Sequence, residues 1–209
     1  MTRFFFLLII LTSLSTLAFG QAETRFEVTA GYLYNVQGGS VLANWTNGWT
    51  VGSGISCSLS SETDLLWDVR CSRLPYEGGA VVLAVPEVTG LNWSVSGKPT
   101  NIYESSAGIR FANHGANLRP FLALHAGVIA TNVGRITVST WMESQPEIVS
   151  SETYNGTGTA FIRAFGSVGL GVLLAVSPGF DVVAEARFVT LISADEVFVP
   201  LTLTCQWGL

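Results

Sequence analysis

Taken two residues at a time, the chain resolves into eight stretches in which one parity is apolar and the other polar or small. That is the period of a β-strand with two unlike faces. The stretches cover residues 25–34, 50–60, 65–74, 103–112, 119–130, 161–176, 181–190 and 196–209. In the first, Phe26, Val28, Ala30, Tyr32 and Tyr34 alternate with Arg25, Glu27, Thr29 and Gly31. In the last, Val197, Val199, Leu201, Leu203, Cys205 and Trp207 alternate with Pro200, Thr202, Thr204 and Gln206. Beyond residue 20 nothing reads as a membrane helix, which needs roughly 20 apolar residues. The uncharged, largely apolar run 164–180 is broken by four glycines and a proline.

The connections alternate in length. Residues 35–49, 75–102 and 131–160 are long, whereas 61–64, 113–118 and 177–180 are short and rich in turn formers. A barrel that crosses a membrane has this asymmetry, with long loops outside and tight turns on the periplasmic side. The spacing therefore predicts an all-β fold, an antiparallel up-and-down eight-stranded transmembrane β-barrel. Two further alternations leave ten strands open: residues 80–85 as part of an extra hairpin, and 136–141 as a prolongation of the fifth strand above the membrane.

The cost of charge orients the faces. The polar parity carries Glu27, Asp68, Glu104 and Glu185 together with Arg70, Arg110, Arg163 and Arg187. An Arg or Lys at the lipid midplane costs about 2–4 kcal/mol, so these eight are expected to point inward. The interior of eight strands is just wide enough for side chains to fill. Equal numbers of opposite charges then predict a lumen that is ionically cross-linked and plugged. Aromatic residues fit the same frame, Tyr32, Tyr34, Trp49 and Tyr103 toward the outer rim and Phe26, Trp67, Phe111 and Trp207 toward the periplasmic rim.

Composition narrows the class. Charged residues make up 12% of the chain, half the usual ~25%, and mean hydropathy is +0.44, so the apolar surplus must lie on outward strand faces. A net charge of -5 argues against nucleic acid as a partner. The first residues carry a targeting pattern: Arg3, an apolar run over 4–11, and Ala18-Phe19-Gly20 as a small-x-small cleavage site before Gln21. Residues 1–20 are thus expected to be a signal peptide cleaved after Gly20, and 21–209 the barrel domain. Three cysteines leave at least one unpaired. In a hairpin symmetric about Asp64, Cys57 and Cys71 would face each other, and a disulfide there is expected, with three lipid-facing thiols as the alternative.

Catalytic chemistry is sparse. His114 and His125 are the two histidines, so no His-rich metal cluster is available, and no cofactor motif is present. In His125-Ala126-Gly127 the hydroxyl that a His-x-Ser pairing would supply is replaced by glycine. No enzymatic activity is expected.

The stretch Asn117-Leu118-Arg119-Pro120-Phe121-Leu122-Ala123-Leu124-His125-Ala126-Gly127-Val128, the segment 180–189 with Glu185-Ala186-Arg187, and the closing C-terminal strand resemble the OmpA/OmpX-type outer-membrane β-barrel protein family of small eight-stranded barrels. The resemblance spans essentially all of residues 21–209. It implies a place in the bacterial outer membrane, lipid around the wall, and recognition of the last strand by the outer-membrane assembly machinery. Leu201, Leu203, Cys205 and Trp207 fit that strand, while Leu209 stands where members of the family end in an aromatic residue. Function is then expected in the outer loops. There Trp45, Trp93 and Trp141 accompany Glu77, Glu87, Glu143, Glu147 and Glu152, a mildly acidic aromatic surface suited to a protein or glycan ligand. The resulting expectation is a monomeric structural or surface-interaction barrel. A narrow channel, a lipid A-modifying enzyme and a secreted lipocalin-like barrel with an apolar interior stand as alternatives.

Overall fold

The structure, a computed structural model, describes residues 23–36, 42, 45–77, 91–113, 117–143, 145–153, 157–192 and 196–209. The expected signal peptide, His114, Glu87 and the extra hairpin at 80–85 lie outside these residues. In chain order the strands are β1 (Thr24–Val36), β2 (Gly48–Ser58), β3 (Thr63–Leu74), β4 (Leu91–Gly97), β5 (Thr100–Ala112), β6 (Leu118–Asn132), β7 (Ile136–Met142), β8 (Gln145–Thr153), β9 (Ala160–Ser177), β10 (Phe180–Leu191) and β11 (Val197–Gly208). Eight of them close an antiparallel barrel in the order β1-β11-β10-β9-β6-β5-β3-β2. The seam runs from Arg25 opposite Gly208 to Val36 opposite Val197. It continues to the last residue, whose amide donates to the Thr24 carbonyl at 3.0 Å.

Each expected strand is present, and several run further at the outer end. β5 begins at Thr100 and β6 extends to Asn132. Toward that end the inward parity also becomes apolar, with Leu33, Leu74, Ile102 and Ile129 all buried. Alternation therefore fades there although pairing continues.

The faces are inverted relative to a water-soluble barrel. Tyr32, Tyr34, Trp49 and Tyr103, like Phe26, Trp67, Phe111 and Trp207, are all exposed on the outer wall, together with a belt of Val, Leu and Ile. Inside lie Asp64, Asp68, Arg70, Arg110, His125 and Arg187, all buried. A soluble lipocalin-like barrel would place these two sets the other way round.

The barrel has the eight strands expected, not the ten left open. Two finer expectations are corrected. Residues 136–142 do not prolong β6, because the chain turns at Val133-Gly134-Arg135 and β7 pairs with β4 and β8 in a separate three-stranded sheet over the loops. The Cys57–Cys71 disulfide is also absent. Register pairs Cys57 with Leu65 and Cys71 with Val51, so the hairpin is centred near Ser61 and not at Asp64. The two sulfurs sit six residues apart along the strand, about 20 Å, and all three cysteines are free. The intact mass of the purified chain is expected to be identical before and after reduction. A loss of two hydrogens in the unreduced form would contradict this register.

Candidate functional site

The barrel lumen and the loop cap above it gather most of the buried polar and aromatic side chains. From the periplasmic end upward, the lumen is built in layers because inward residues of neighbouring strands fall side by side in register. The lowest layer joins three strands: Arg25 pairs with Asp181 and with Glu23, and Arg119 Nη2 lies 3.3 Å from Asp181 Oδ2. Above it, Arg110 donates from Nε at 3.0 Å and Nη2 at 2.9 Å to Asp64 Oδ2. The Arg110 guanidinium sits 5.7 Å over the Phe121 ring and 3.8 Å from Glu27 Oε1. Gln206 Nε2 donates to the same Glu27 oxygen.

The central layer is the densest. Arg70 Nε donates to Asp68 Oδ1 at 3.0 Å, and its Nη2 lies 3.5 Å from Glu185 Oε2. Arg187, with no exposed side-chain surface, pairs with Glu104 and places Nη1 3.7 Å from Asp68 Oδ2. Ser106 donates to Asp68 at 3.0 Å. His125 stands between two carboxylates, Nδ1 3.5 Å from Asp68 and Nε2 3.7 Å from Glu185. Two inward glycines make this layer fit. A Cβ on Gly108 would collide with the His125 ring, and one on Gly169 with the Glu185 carboxylate.

Of the eight residues read from parity, seven therefore meet in these layers. The eighth, Arg163, pairs with Glu196 at 2.7 Å near the outer mouth and keeps partial exposure. The structure adds Glu23, Arg25, Asp64, Arg119, His125, Asp181 and Glu196 as ion-pairing partners. All but Glu23 and Asp64 fall inside the expected strands. Parity alone would have found Arg25, Arg119 and Asp181, whereas Asp64 was masked by the misplaced turn.

Apolar layers bracket the charges. Leu66, Ala112, Phe121, Ala123, Leu173 and Val183 cluster toward the periplasmic end. A larger cluster fills the outer mouth, where Leu33, Leu74, Ile102, Phe165 and Phe198 from the barrel strands meet Leu42, Trp45 and Val133 from the loops and Ile136 from the start of β7. Trp45 was expected on an exposed loop surface, but it is only 1% exposed. Its indole Nε1 donates to the Lys98 carbonyl at 3.0 Å, and its ring packs edge-on to Tyr76 at 6.3 Å. Partial burial there pushes the Tyr76 phenol above its ordinary value. Asn35 ties the cap down, donating from Nδ2 to the carbonyls of Leu42 at 3.1 Å and Trp45 at 2.8 Å. Trp93, by contrast, is exposed on β4, as are Glu143 and Glu152 beside it in the small sheet.

Among the described residues, small cavities lie within the lumen. One, of about 20 Å³, lies among Glu27, Asp68, Arg110, His125 and Glu185. Another, of about 10 Å³, lies under the cap between Arg70, Glu104, Ile102 and Phe198. Each has room for about one water molecule. Among the described residues no group of His, Cys, Asp and Glu is arranged to hold a metal ion.

No family model and no curated protein matches the chain. Among solved structures it is similar to Neisserial surface protein A, with a TM-score of 0.52 at 12% identity over 89% of this chain and 97% of that one. It is also similar to the attachment invasion locus protein of Yersinia pestis, with a TM-score of 0.46 at 11% identity over 90% and 97%. A third is the N-terminal β-barrel domain of Pseudomonas aeruginosa OprF, with a TM-score of 0.42 at 16% identity over 90% and 100%. The chain has the fold of the small eight-stranded outer-membrane barrels, the fold that the OmpA/OmpX-type resemblance implied.

Proposed function

We propose that the chain is a monomeric outer-membrane barrel with a plugged lumen, a structural or surface-interaction protein whose ligand contacts lie on the loop sheet. The observation that carries this reading is the filling of the lumen. Ion pairs bridge it from wall to wall at three levels, an apolar cap closes the outer mouth, and the two cavities between them hold about one water each. Such a stack opposes the passage of an ion.

The same geometry supports a non-enzymatic role. His125 faces the lumen with 2% of its side chain exposed, out of reach of any lipid outside the wall. The exposed Trp93 on β4, with the exposed Glu143 after β7 and Glu152 on β8, supports a protein or glycan as the loop ligand. Surrounding lipid and the outer-membrane assembly machinery, acting on β11, complete the proposed partners. Refolded protein in planar bilayers is expected to give no steady unit conductance, and its expression is expected to leave the mass of lipid A unchanged. A stable conductance would replace this reading with a narrow channel, and a shifted lipid A mass with an enzyme.

A further inference from the structure

Of the cations beyond residue 20, Arg25, Arg70, Arg110, Arg119, Arg163 and Arg187 are all held in lumen ion pairs. The remaining three, Arg73, Lys98 and Arg135, are exposed. They are not scattered. Arg73 is at the outer end of β3, Lys98 precedes β5 by two residues, and Arg135 follows β6, three neighbouring strands of the barrel. The Lys98 amide donates to the Arg135 carbonyl at 2.9 Å, so their backbones adjoin.

Arg73 is the one of these on the outward face of a barrel strand. It lies opposite Trp49 on β2 and Asn101 on β5, at the level of the outer aromatic residues. At an interface a cation costs at most about 1 kcal/mol, and its head can reach the phosphate level while its stem lies on apolar surface. Directly below it, toward the middle of the wall, is a depression of about 650 Å³ lined by Ala30, Val51, Ser53, Val69, Cys71 and Tyr103. It exists because Ala30, Ser53 and Cys71 are short where their neighbours are large. A second depression on the same wall, of about 540 Å³, is formed by Leu170, Ala184, Ala186, Leu201 and Leu203. The outward residues further up β10, Phe188 and Thr190, carry no charge. The first depression thus joins an apolar trough to a cation, and the second does not.

We infer that the β1–β2–β3–β5 wall holds one phosphate-bearing anionic lipid, its headgroup on Arg73 beside Trp49 and an acyl chain in the trough beneath. This rests on the reading of the chain as a membrane barrel. Charge complementarity selects the occupant: guanidinium pairs bidentately with phosphate oxygens, and the trough offers mainly apolar contact to what hangs below.

To test this, residues 21–209 are refolded into vesicles of equal phosphatidylcholine and phosphatidylglycerol, released in mild detergent, and the retained lipids counted by native mass spectrometry. One phosphatidylglycerol is expected to remain in about tenfold preference over phosphatidylcholine, the size of one charge-assisted hydrogen bond. Arg73→Gln is expected to abolish the preference. The double substitution Ala30→Leu and Ser53→Leu, which fills the trough with Arg73 intact, should remove retained lipid of either kind, and Ala184→Leu on the other depression should remove none. Equal retention of the two lipids by the unaltered protein would overturn the site, as would full retention in both Arg73→Gln and the filled-trough variant. Displacement of the lipid by millimolar inorganic phosphate would mean that Arg73 reads free phosphate. Altered gel mobility on boiling reports barrel folding separately for each variant. A chain that stays in solution without detergent would overturn the membrane reading itself, and the lipid site with it.

Discussion

Replacing Arg187 by methionine is expected to destabilise the barrel by about 3–5 kcal/mol, the cost of breaking a buried ion pair by removing one partner. Its guanidinium is fully buried and serves two carboxylates, Glu104 and Asp68, on the facing wall. With Arg187 gone, Glu104 loses its ion-pairing partner and Asp68 one of several. Urea unfolding in lipid vesicles, followed by tryptophan fluorescence, measures the effect. The double variant Arg187→Met with Glu104→Leu should regain most of the loss, because a packed apolar pair in place of a buried ion pair is often neutral or better. If the single variant shifts stability by less than about 1 kcal/mol, the value of an exposed pair, the central layer is hydrated and the plugged lumen is wrong.

Trp45→Ala is expected to act on the cap with a similar magnitude, about 3–5 kcal/mol for a large aromatic side chain removed from a packed site. The indole contributes both its contact with Tyr76 and its hydrogen bond to the Lys98 carbonyl. These bind the loop after β1 to the segments flanking β4 and β5. Hydrogen exchange should therefore quicken over β4 and β7 while β9, β10 and β11 stay protected. Uniform acceleration around the whole barrel would show that the cap and the wall unfold as one unit. No change anywhere would show that Trp45 does not anchor the cap.

The alternation along the chain contained the wall. A strand residue can face only one of two ways, and an apolar medium outside with a narrow interior makes the wrong way costly at every charged position. Hence Glu27, Asp68, Arg70, Glu104, Arg110, Glu185 and Arg187 could be placed inside from parity alone, and the order of strands followed from alternating loop lengths. Within the lumen, Arg25, Arg119 and Asp181 were equally legible by parity. They lie at strand ends, where their neighbours in register enclose them.

What the sequence by itself determined was therefore the eight strands, their up-and-down order and their faces, all local consequences of period two and turn chemistry. The tertiary structure alone decided register and the loop cap. A shift in the β2–β3 turn from Asp64 to Ser61 moves Cys71 from opposite Cys57 to opposite Val51, and no periodicity distinguishes the two. The burial of Trp45 depends on contacts with Tyr76 and Lys98, residues far along the chain that meet it only because closure of the barrel brings three loops over one mouth. The place of Arg73 above a trough is of the same kind, since Ala30, Ser53 and Cys71 belong to three strands that become one surface only when paired. Side-chain direction is set by neighbours in sequence, but who lies beside whom is set by closure.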